Sequence, residues 1–413
     1  CAALADNDTM ISCAETQAED VIATMECLTA LGAFIGRNEN GFAVSPVDKK
    51  NLPKETIFFP CGESGSTLRF MLPVACALGI RGAFEMKGRL PRRPINPLDE
   101  QLENHGIKLW REGDVLHCEG QLQPGDDYEI PGDISSQFIS GLIMALPLLN
   151  APSRLSVTGT VESGGYIEMT LEAAEAFGMK IEVEKDYYRT EHSGSFMSRN
   201  VREYKFDGTE TYKSPGIIET EGDWSNSAYW MCAGAMPRGR VVLHGLNKNS
   251  AQGDSALYKI LSKMGADVSA VEDAILVKED RRHSIEIDAR PIPDLIPVLA
   301  AIASVGSGKT TIRNAQRLRI KESDRLTSTK DVLKSLGASI QETADGLMID
   351  GVKSLRGGTV DSHDDHRIAM MAAIASAACE SVPVTINGAE CVNKSYPNFW
   401  NDLRSLGKKV IEG

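Results

Sequence analysis

The chain has 413 residues, a net charge of −13, 42% hydrophobic and 24% charged residues, which is ordinary for a globular protein and long enough for two or three domains. The acidic balance argues against a general nucleic-acid or membrane-surface binder, whose binding face is normally basic. The nine cysteines are scattered, with no CxxC and no zinc-ligand spacing, and read as free thiols of a reducing cytoplasm. No apolar run reaches the roughly 20 residues of a membrane span.

In chain order, the start at Cys1–Ala5 reads as the middle of a helix. An amphipathic stretch followed by glycine and a β-like run then recurs. It ends at Gly32, Gly106, Gly178, Gly265, Gly337 and, weakly, Gly407, at intervals of 74, 72, 87, 72 and 70 residues. A period near 72 implies a duplicated unit, and glycine is the natural residue just past a helix C-terminus. Between these glycines lies a second recurring element, a polar cap leading into a small-residue apolar helix. Its copies begin at Gly62-Glu63-Ser64-Gly65, Gly132-Asp133-Ile134-Ser135-Ser136-Gln137, Gly222-Asp223-Trp224-Ser225, Ile292-Pro293-Asp294 and His363-Asp364-Asp365-His366-Arg367. Helices this apolar must be buried. The expected unit is a buried helix, a half-exposed helix and strands.

Six units split into two domains, 1–222 and 223–413. The long interval contains a polar, tyrosine-rich stretch near 186–213, expected as an insertion or extended hairpin in the third unit, or simply as a solvated loop. Val305-Gly306-Ser307-Gly308-Lys309-Thr310-Thr311 looks like a phosphate-binding loop but lacks the first glycine of GxxxxGK[ST], where Ala303 stands. Its order, apolar helix first and β-like run after, is also reversed. A helix-to-strand turn is expected there.

Helix N-termini carry unpaired N–H groups and partial positive charge, so repeated buried helices can attract an anion even in an acidic protein. Basic clusters accompany them: Lys87, Arg89, Arg92 and Arg93, then Arg313, Arg317, Arg319, Lys321 and Arg325, with Arg367 and Lys394 beside recurring elements. Each cluster alone is more often a solvated surface than a site. Their recurrence at unit junctions points to carboxylate or phosphate ligands.

The stretches Gly62–Arg69, Arg93-Pro94-Ile95, Gly132–Phe138, Glu162–Tyr166, Glu221–Ser225, Arg319-Ile320-Lys321-Glu322-Ser323-Asp324-Arg325, Asp364–Arg367 and Asn393–Pro397 closely resemble the 5-enolpyruvylshikimate-3-phosphate synthase family, in family order over nearly the whole chain. The resemblance implies an α/β fold of two similar domains, each of three βαβαββ units with pseudo-threefold symmetry, an inside-out α/β barrel. It implies transfer of the enolpyruvyl group of phosphoenolpyruvate to the 5-hydroxyl of shikimate 3-phosphate, through a tetrahedral intermediate and with no metal or organic cofactor. A cytoplasmic monomer acting on two small molecules is expected, with neither nucleic acid nor membrane as partner.

By the same resemblance Asp294 is the candidate base, its plain alternative being a helix N-cap, and Glu322 the candidate acid, its alternative a local ion pair. His366 is either an aid to proton movement or a structural hydrogen-bonding group. Gly65, Arg93, Gln137, Arg325, Arg367 and Lys394 match positions that bind phosphoenolpyruvate. Ser135, Ser136, Gln137, Ser163, Tyr166, Asp294 and Lys321 match positions that bind shikimate 3-phosphate. Family members carry a Lys-Ser segment ahead of the point where this sequence opens; if the polypeptide begins at Cys1, slow or absent turnover is expected. Two alternatives stand beside this reading: a catalytically impaired substrate-binding module, and the related transferase that acts on UDP-N-acetylglucosamine. The latter uses a cysteine before its Arg-Pro-Ile-like element, and Met86–Arg93 contains none.

Overall fold

A computed structural model describes residues 1–14, 17–190, 198–280 and 283–411, with backbone alone at 185–190 and 198–200. It divides into one unit of Cys1–Glu15 and Glu19–Thr220, and another of Thr16–Ala18 and Glu221–Gly413. Each has its own hydrophobic core. Eleven α-helices occur among the described residues. The first unit holds α1 (Glu19–Ala30), α2 (Gly65–Ala77), α3 (Leu98–Asn104), α4 (Ser136–Ala145) and α5 (Gly164–Ala176). The second holds α6 (Trp224–Ala235), α7 (Leu257–Lys263), α8 (Ile296–Ala303), α9 (Arg325–Ser335), α10 (His366–Ala375) and α11 (Phe399–Ser405). The opening residues form a single 3-10 turn, Ala2–Leu4, rather than an α-helix.

Four four-stranded sheets share one order: a parallel pair, then two antiparallel neighbours. In the first unit these are Ile217–Glu219, Thr9–Ser12, Gly41–Ser45, Phe34–Asn38; Ile57–Gly62, Gly82–Met86, Val115–Gly120, Ile107–Glu112; and Tyr128–Pro131, Ser153–Thr158, Ser198–Phe206, Glu182–Thr190. In the second unit it is Glu286–Asp288, Lys309–Arg313, Leu347–Asp350, Ser339–Glu342. The second unit adds a three-stranded antiparallel sheet, Arg240–His244, Ala274–Lys278, Asp267–Val271, and a parallel pair, Gly358–Asp361 with Val384–Asn387.

A parallel pair requires a crossover connection, and the apolar helices supply it: α2, α4, α8 and α10 each join the two strands of a parallel pair. They are buried because both their sheet and their fellow helices cover them. α2 packs on α4, while α6, α8 and α10 pack on one another. All eight residues of α8 are buried, though no side chain caps it. Burying Ile296, Val298, Leu299 and Ile302 contributes on the order of 6–12 kcal/mol, against about 1 kcal/mol for a cap. Packing therefore fixes this helix.

The six recurring glycines all follow helices and have positive φ, from +80° at Gly178 to +109° at Gly32. Of the stretch near 186–213, the described part up to Phe206 is strand, and 207–213 is irregular and largely exposed. Glu182–Thr190 and Ser198–Phe206 form an antiparallel hairpin whose second strand continues the sheet onto Ser153–Thr158; residues 191–197 lie outside the described residues. Gly306-Ser307-Gly308 links α8 to the strand Lys309–Arg313, a helix-to-strand turn. Among the described residues, no helix is long and apolar enough to cross a membrane, and all nine cysteines are free thiols.

Candidate active site

In the first unit the predicted residues gather at the starts of α2, α4 and α5. Ser64 caps α2 by accepting from the Thr67 N–H, and Gly65 opens the helix. A Cβ at Gly65 would stand 2.7 Å from Arg93 Nη1, so glycine is what lets the guanidinium lie on the helix start. Ser135 is the N-cap residue of α4 but makes no side-chain capping bond. Ser136 and Gln137 follow it, and both serines are buried. Gln137 is held by a residue that the sequence does not mark as functional. Arg69, itself buried, donates from Nη1 to Gln137 Oε1 at 2.6 Å and from Nη2 to the Pro94 carbonyl at 3.1 Å. Its guanidinium also lies 5.1 Å from the Phe138 ring centroid. One buried cation thus joins the Arg93-Pro94 loop to the start of α4.

The turn before α5 lies against the turn before α4. The Glu162 N–H donates to the Gly132 carbonyl at 2.9 Å, and a Cβ at Gly132 would meet the Thr160 carbonyl oxygen at 2.8 Å. Ser163 is buried and left-handed, with φ +56°, a strained conformation for serine. Tyr166 lies in the first turn of α5, its N–H donating to the Ser163 carbonyl.

The second unit carries a buried charge network. Arg325, 1% exposed, opens α9 and reaches three carboxylates. Nε lies 2.8 Å from Asp365 Oδ2, Nη1 lies 2.6 Å from Asp294 Oδ1, and Nη2 lies 2.5 Å from Glu322 Oε2. Burial works against its charge, but Asp365, Glu322 and Asp294 outweigh it and raise its pKa. Asp294 also faces Lys321 Nζ at 3.7 Å and Arg367 Nη2 at 3.6 Å. Burial would push its carboxyl up; Arg367, Lys321, Arg325 and His366 together hold it well below the usual carboxylate range. Asp294 sits in the 3-10 turn Pro293–Leu295 and does not cap α8, so the plain N-cap alternative does not describe it. Glu322 does pair locally with Arg325, but from a half-buried position beside a buried guanidinium rather than at the open surface. Burial pushes the Lys321 ammonium down, partly countered by Asp294.

Asp365, fully buried, stands in the sequence as part of a helix cap and of the family-like stretch Asp364–Arg367, with no role of its own. It does cap α10, accepting from the Arg367 N–H at 3.0 Å. It also accepts from Ser323 Oγ at 2.9 Å and takes both Nε and Nη2 of Arg325. His366 Nδ1 is buried without a hydrogen-bond partner. Burial, outweighing the attraction of Asp365, pushes this histidine down to about 3, so the ring is neutral at ordinary pH. Lys394 ends the 3-10 segment Ala389–Lys394, buried against α10. Among the described residues, no group of three or more His, Cys, Asp and Glu side chains is placed to hold a metal.

The model of the EPSP synthase (3-phosphoshikimate 1-carboxyvinyltransferase) family matches residues 1–403. The 3-phosphoshikimate 1-carboxyvinyltransferase of Clostridium kluyveri is 40% identical over 396 residues, covering 95% of this chain and 88% of that protein. That of Clostridium acetobutylicum is 40% identical over 416 residues, covering 100% and 92%. The EPSP synthase structure from Acinetobacter baumannii superposes with a TM-score of 0.76 at 25% identity, covering 98% of this chain and 91% of that one. With this match along almost its whole length, the chain belongs to the EPSP synthase family.

Proposed function

We propose that this chain transfers the enolpyruvyl group of phosphoenolpyruvate to the 5-hydroxyl of shikimate 3-phosphate and releases phosphate. The observation that carries the mechanism is the network in which the half-buried Asp294 meets the buried Arg325, Asp365 and Arg367. It keeps a carboxylate ionised beside cations suited to a substrate bearing both carboxylate and phosphate.

Asp294, ionised at neutral pH, takes the proton of the 5-hydroxyl. The hydroxyl oxygen forms a bond to C2 of phosphoenolpyruvate while C3 gains a proton from the protonated form of Glu322, giving a methyl group and a tetrahedral centre. The C2–O bond to phosphate then breaks, C3 returns its proton to the Glu322 carboxylate, the proton held by Asp294 leaves with phosphate, and the enol ether forms. A neutral His366 has a free ring nitrogen to accept a proton but carries none to donate as imidazolium. On the family resemblance Gly65, Arg93, Gln137, Arg325, Arg367 and Lys394 are the phosphoenolpyruvate-binding residues, and Ser135, Ser136, Gln137, Ser163, Tyr166, Asp294 and Lys321 the shikimate-3-phosphate-binding residues. The sheet order shared by all three sheets of the first unit and by one of the second supports βαβαββ units; three of them per domain with pseudo-threefold symmetry, in domains 1–222 and 223–413, follows from the family resemblance. On the family resemblance the enzyme works as a cytoplasmic monomer.

The test is phosphate release from phosphoenolpyruvate by the full-length polypeptide. The expected result is release that requires shikimate 3-phosphate. Release that instead requires UDP-N-acetylglucosamine, or binding of shikimate 3-phosphate with no turnover, would overturn the proposal.

A further inference from the structure

Asp254 belongs to no motif used so far. It lies in the 3-10 turn Gly253–Ala256 and is 2% exposed. That turn is pinned on two sides. On one side is the start of α6. The Trp224 N–H donates to Gln252 Oε1 at 2.9 Å, Gln252 Nε2 donates to the Gly222 carbonyl at 2.9 Å, and Ser225 Oγ donates to Asp254 Oδ2. On the other side is the segment that carries Asp294. A Cβ at Gly253 would stand 2.8 Å from the Pro291 carbonyl oxygen, and Pro291 is three residues from Asp294. The other carboxylate oxygen, Asp254 Oδ1, is buried with no hydrogen-bond partner. The charged groups that act on Asp254 are Asp294 before α8, Arg367 on α10 and Asp223 at the cap of α6.

We propose that Asp254 is a positioning residue for the transfer reaction, a buried anion clamped between the start of α6 and the segment that carries Asp294, from where it makes Asp294 the stronger base. The inference rests on the function proposed above.

A carboxylate with one donor and one unserved oxygen is poorly stabilised in a buried site, so the protonated form gains. Burial, reinforced by the Asp294 charge and opposed by Arg367, pushes Asp254 up to about 6. Its charge therefore comes and goes just below neutrality, where Asp294 is already ionised. Above that point the Asp254 anion repels the charge on Asp294, which makes Asp294 the stronger base. Below it the repulsion is lost, and Asp294 becomes a weaker base. Ser225 sets the balance, because its hydroxyl bond favours the ionised form.

The experiment is the pH profile of kcat/KM for phosphoenolpyruvate between pH 5 and 9 in the wild-type chain, Asp254→Asn and Ser225→Ala. The wild type is expected to show an acid limb near pH 6. Asp254→Asn should lose that limb and reach a plateau roughly tenfold lower, a weaker base giving slower proton transfer. Ser225→Ala, which removes one donor and leaves the carboxyl, should move the limb to higher pH, by about 0.5 to 1 on the pH scale. A limb that stays in place in both variants overturns the inference, whatever happens to the plateau, because a merely structural residue would lower the rate without moving the titration. A wild-type chain that releases no phosphate at any pH overturns the proposed function and this inference together; an active wild type with unmoved variants overturns this inference alone.

Discussion

Asp365→Asn tests whether the buried network holds the second unit together as well as preparing it for chemistry. The two Asp365 oxygens serve four donors: Arg325 Nε and Ser323 Oγ on Oδ2, Arg325 Nη2 and the Arg367 N–H on Oδ1. An amide must place its NH2 group where one oxygen stood. Two of the four donors then face another donor, whichever way the amide turns. Arg325 keeps Asp294 and Glu322 but loses its fully buried partner. Breaking a buried ion pair costs roughly 3–5 kcal/mol. The retained oxygen places this variant near the lower end, at about 3 kcal/mol. For a unit of this size, 1 kcal/mol shifts the melting temperature by about 2–4 °C, so the second unit should melt about 6–12 °C lower by calorimetry at pH 7.5. Burial raises the Asp365 pKa, Arg325 and His366 lower it, and the net shift is downward. A lowered carboxylate pKa means the stabilisation is fully present above the unfolded value of about 3.9 and is lost only as pH falls through the folded value. The deficit should therefore stay constant from pH 5.5 to 8. A melting shift under about 2 °C, or a deficit that grows steadily between pH 6 and 8, would refute the reasoning.

Asp294→Asn removes the proton acceptor while Arg325 retains Asp365 and Glu322; kcat should fall by roughly 10²–10⁴ in a phosphate-release assay, and a loss under tenfold would remove Asp294 from the role of base. Gly65→Ala places a methyl group 2.7 Å from Arg93 Nη1, the mobile end of a side chain. The guanidinium should shift and raise KM for phosphoenolpyruvate by about tenfold or more, the scale of one charge-assisted hydrogen bond, with the melting temperature nearly unchanged. Asp254→Asn should affect stability with the opposite sign to Asp365→Asn. Its acid is raised from 3.8 to about 6, so its contribution to folding worsens as pH climbs from about 4 to about 6. Removing the charge should stabilise the chain above pH 6 by up to about 3 kcal/mol, since each tenfold change in an acid constant corresponds to about 1.4 kcal/mol. Chemical denaturation at pH 5 and pH 8 would show the gain at pH 8 as the larger.

What the sequence revealed and what it hid divide along one physical line. Glycines 32, 106, 178, 265, 337 and 407 were legible because a helix C-terminus imposes a left-handed backbone that few residues tolerate. The starts of α2, α4, α6 and α10 were legible because cap residues and uniformly apolar runs leave a local mark. Charge partnership leaves none. Arg69 meets Gln137 across 68 residues, and Arg325 meets Asp365 across 40; in each case the pairing depends on two helices packing side by side. The hairpin within 186–213 was ambiguous for a related reason. Its strands are polar and tyrosine-rich, so only pairing with Ser153–Thr158 identifies them as sheet.

Asp254 is the limiting case, and it shows why the fold needs the repeat. A carboxyl with an unserved oxygen is a cost that local sequence would never select for helix or turn stability. It is tolerated because Gln252 fastens its turn to α6 through the Trp224 N–H and the Gly222 carbonyl, while Gly253 closes on Pro291. Two of the duplicated elements thereby clamp a residue that neither would hold alone. The same construction recurs in the first unit, where the Arg93-Pro94 loop and the start of α4 are joined through Arg69. Duplication multiplies helix starts, and each helix start brings N–H donors and a neighbouring turn. Function then requires only that a few polar residues be placed where two such starts meet, and the apolar helices behind them supply the stability that those residues spend.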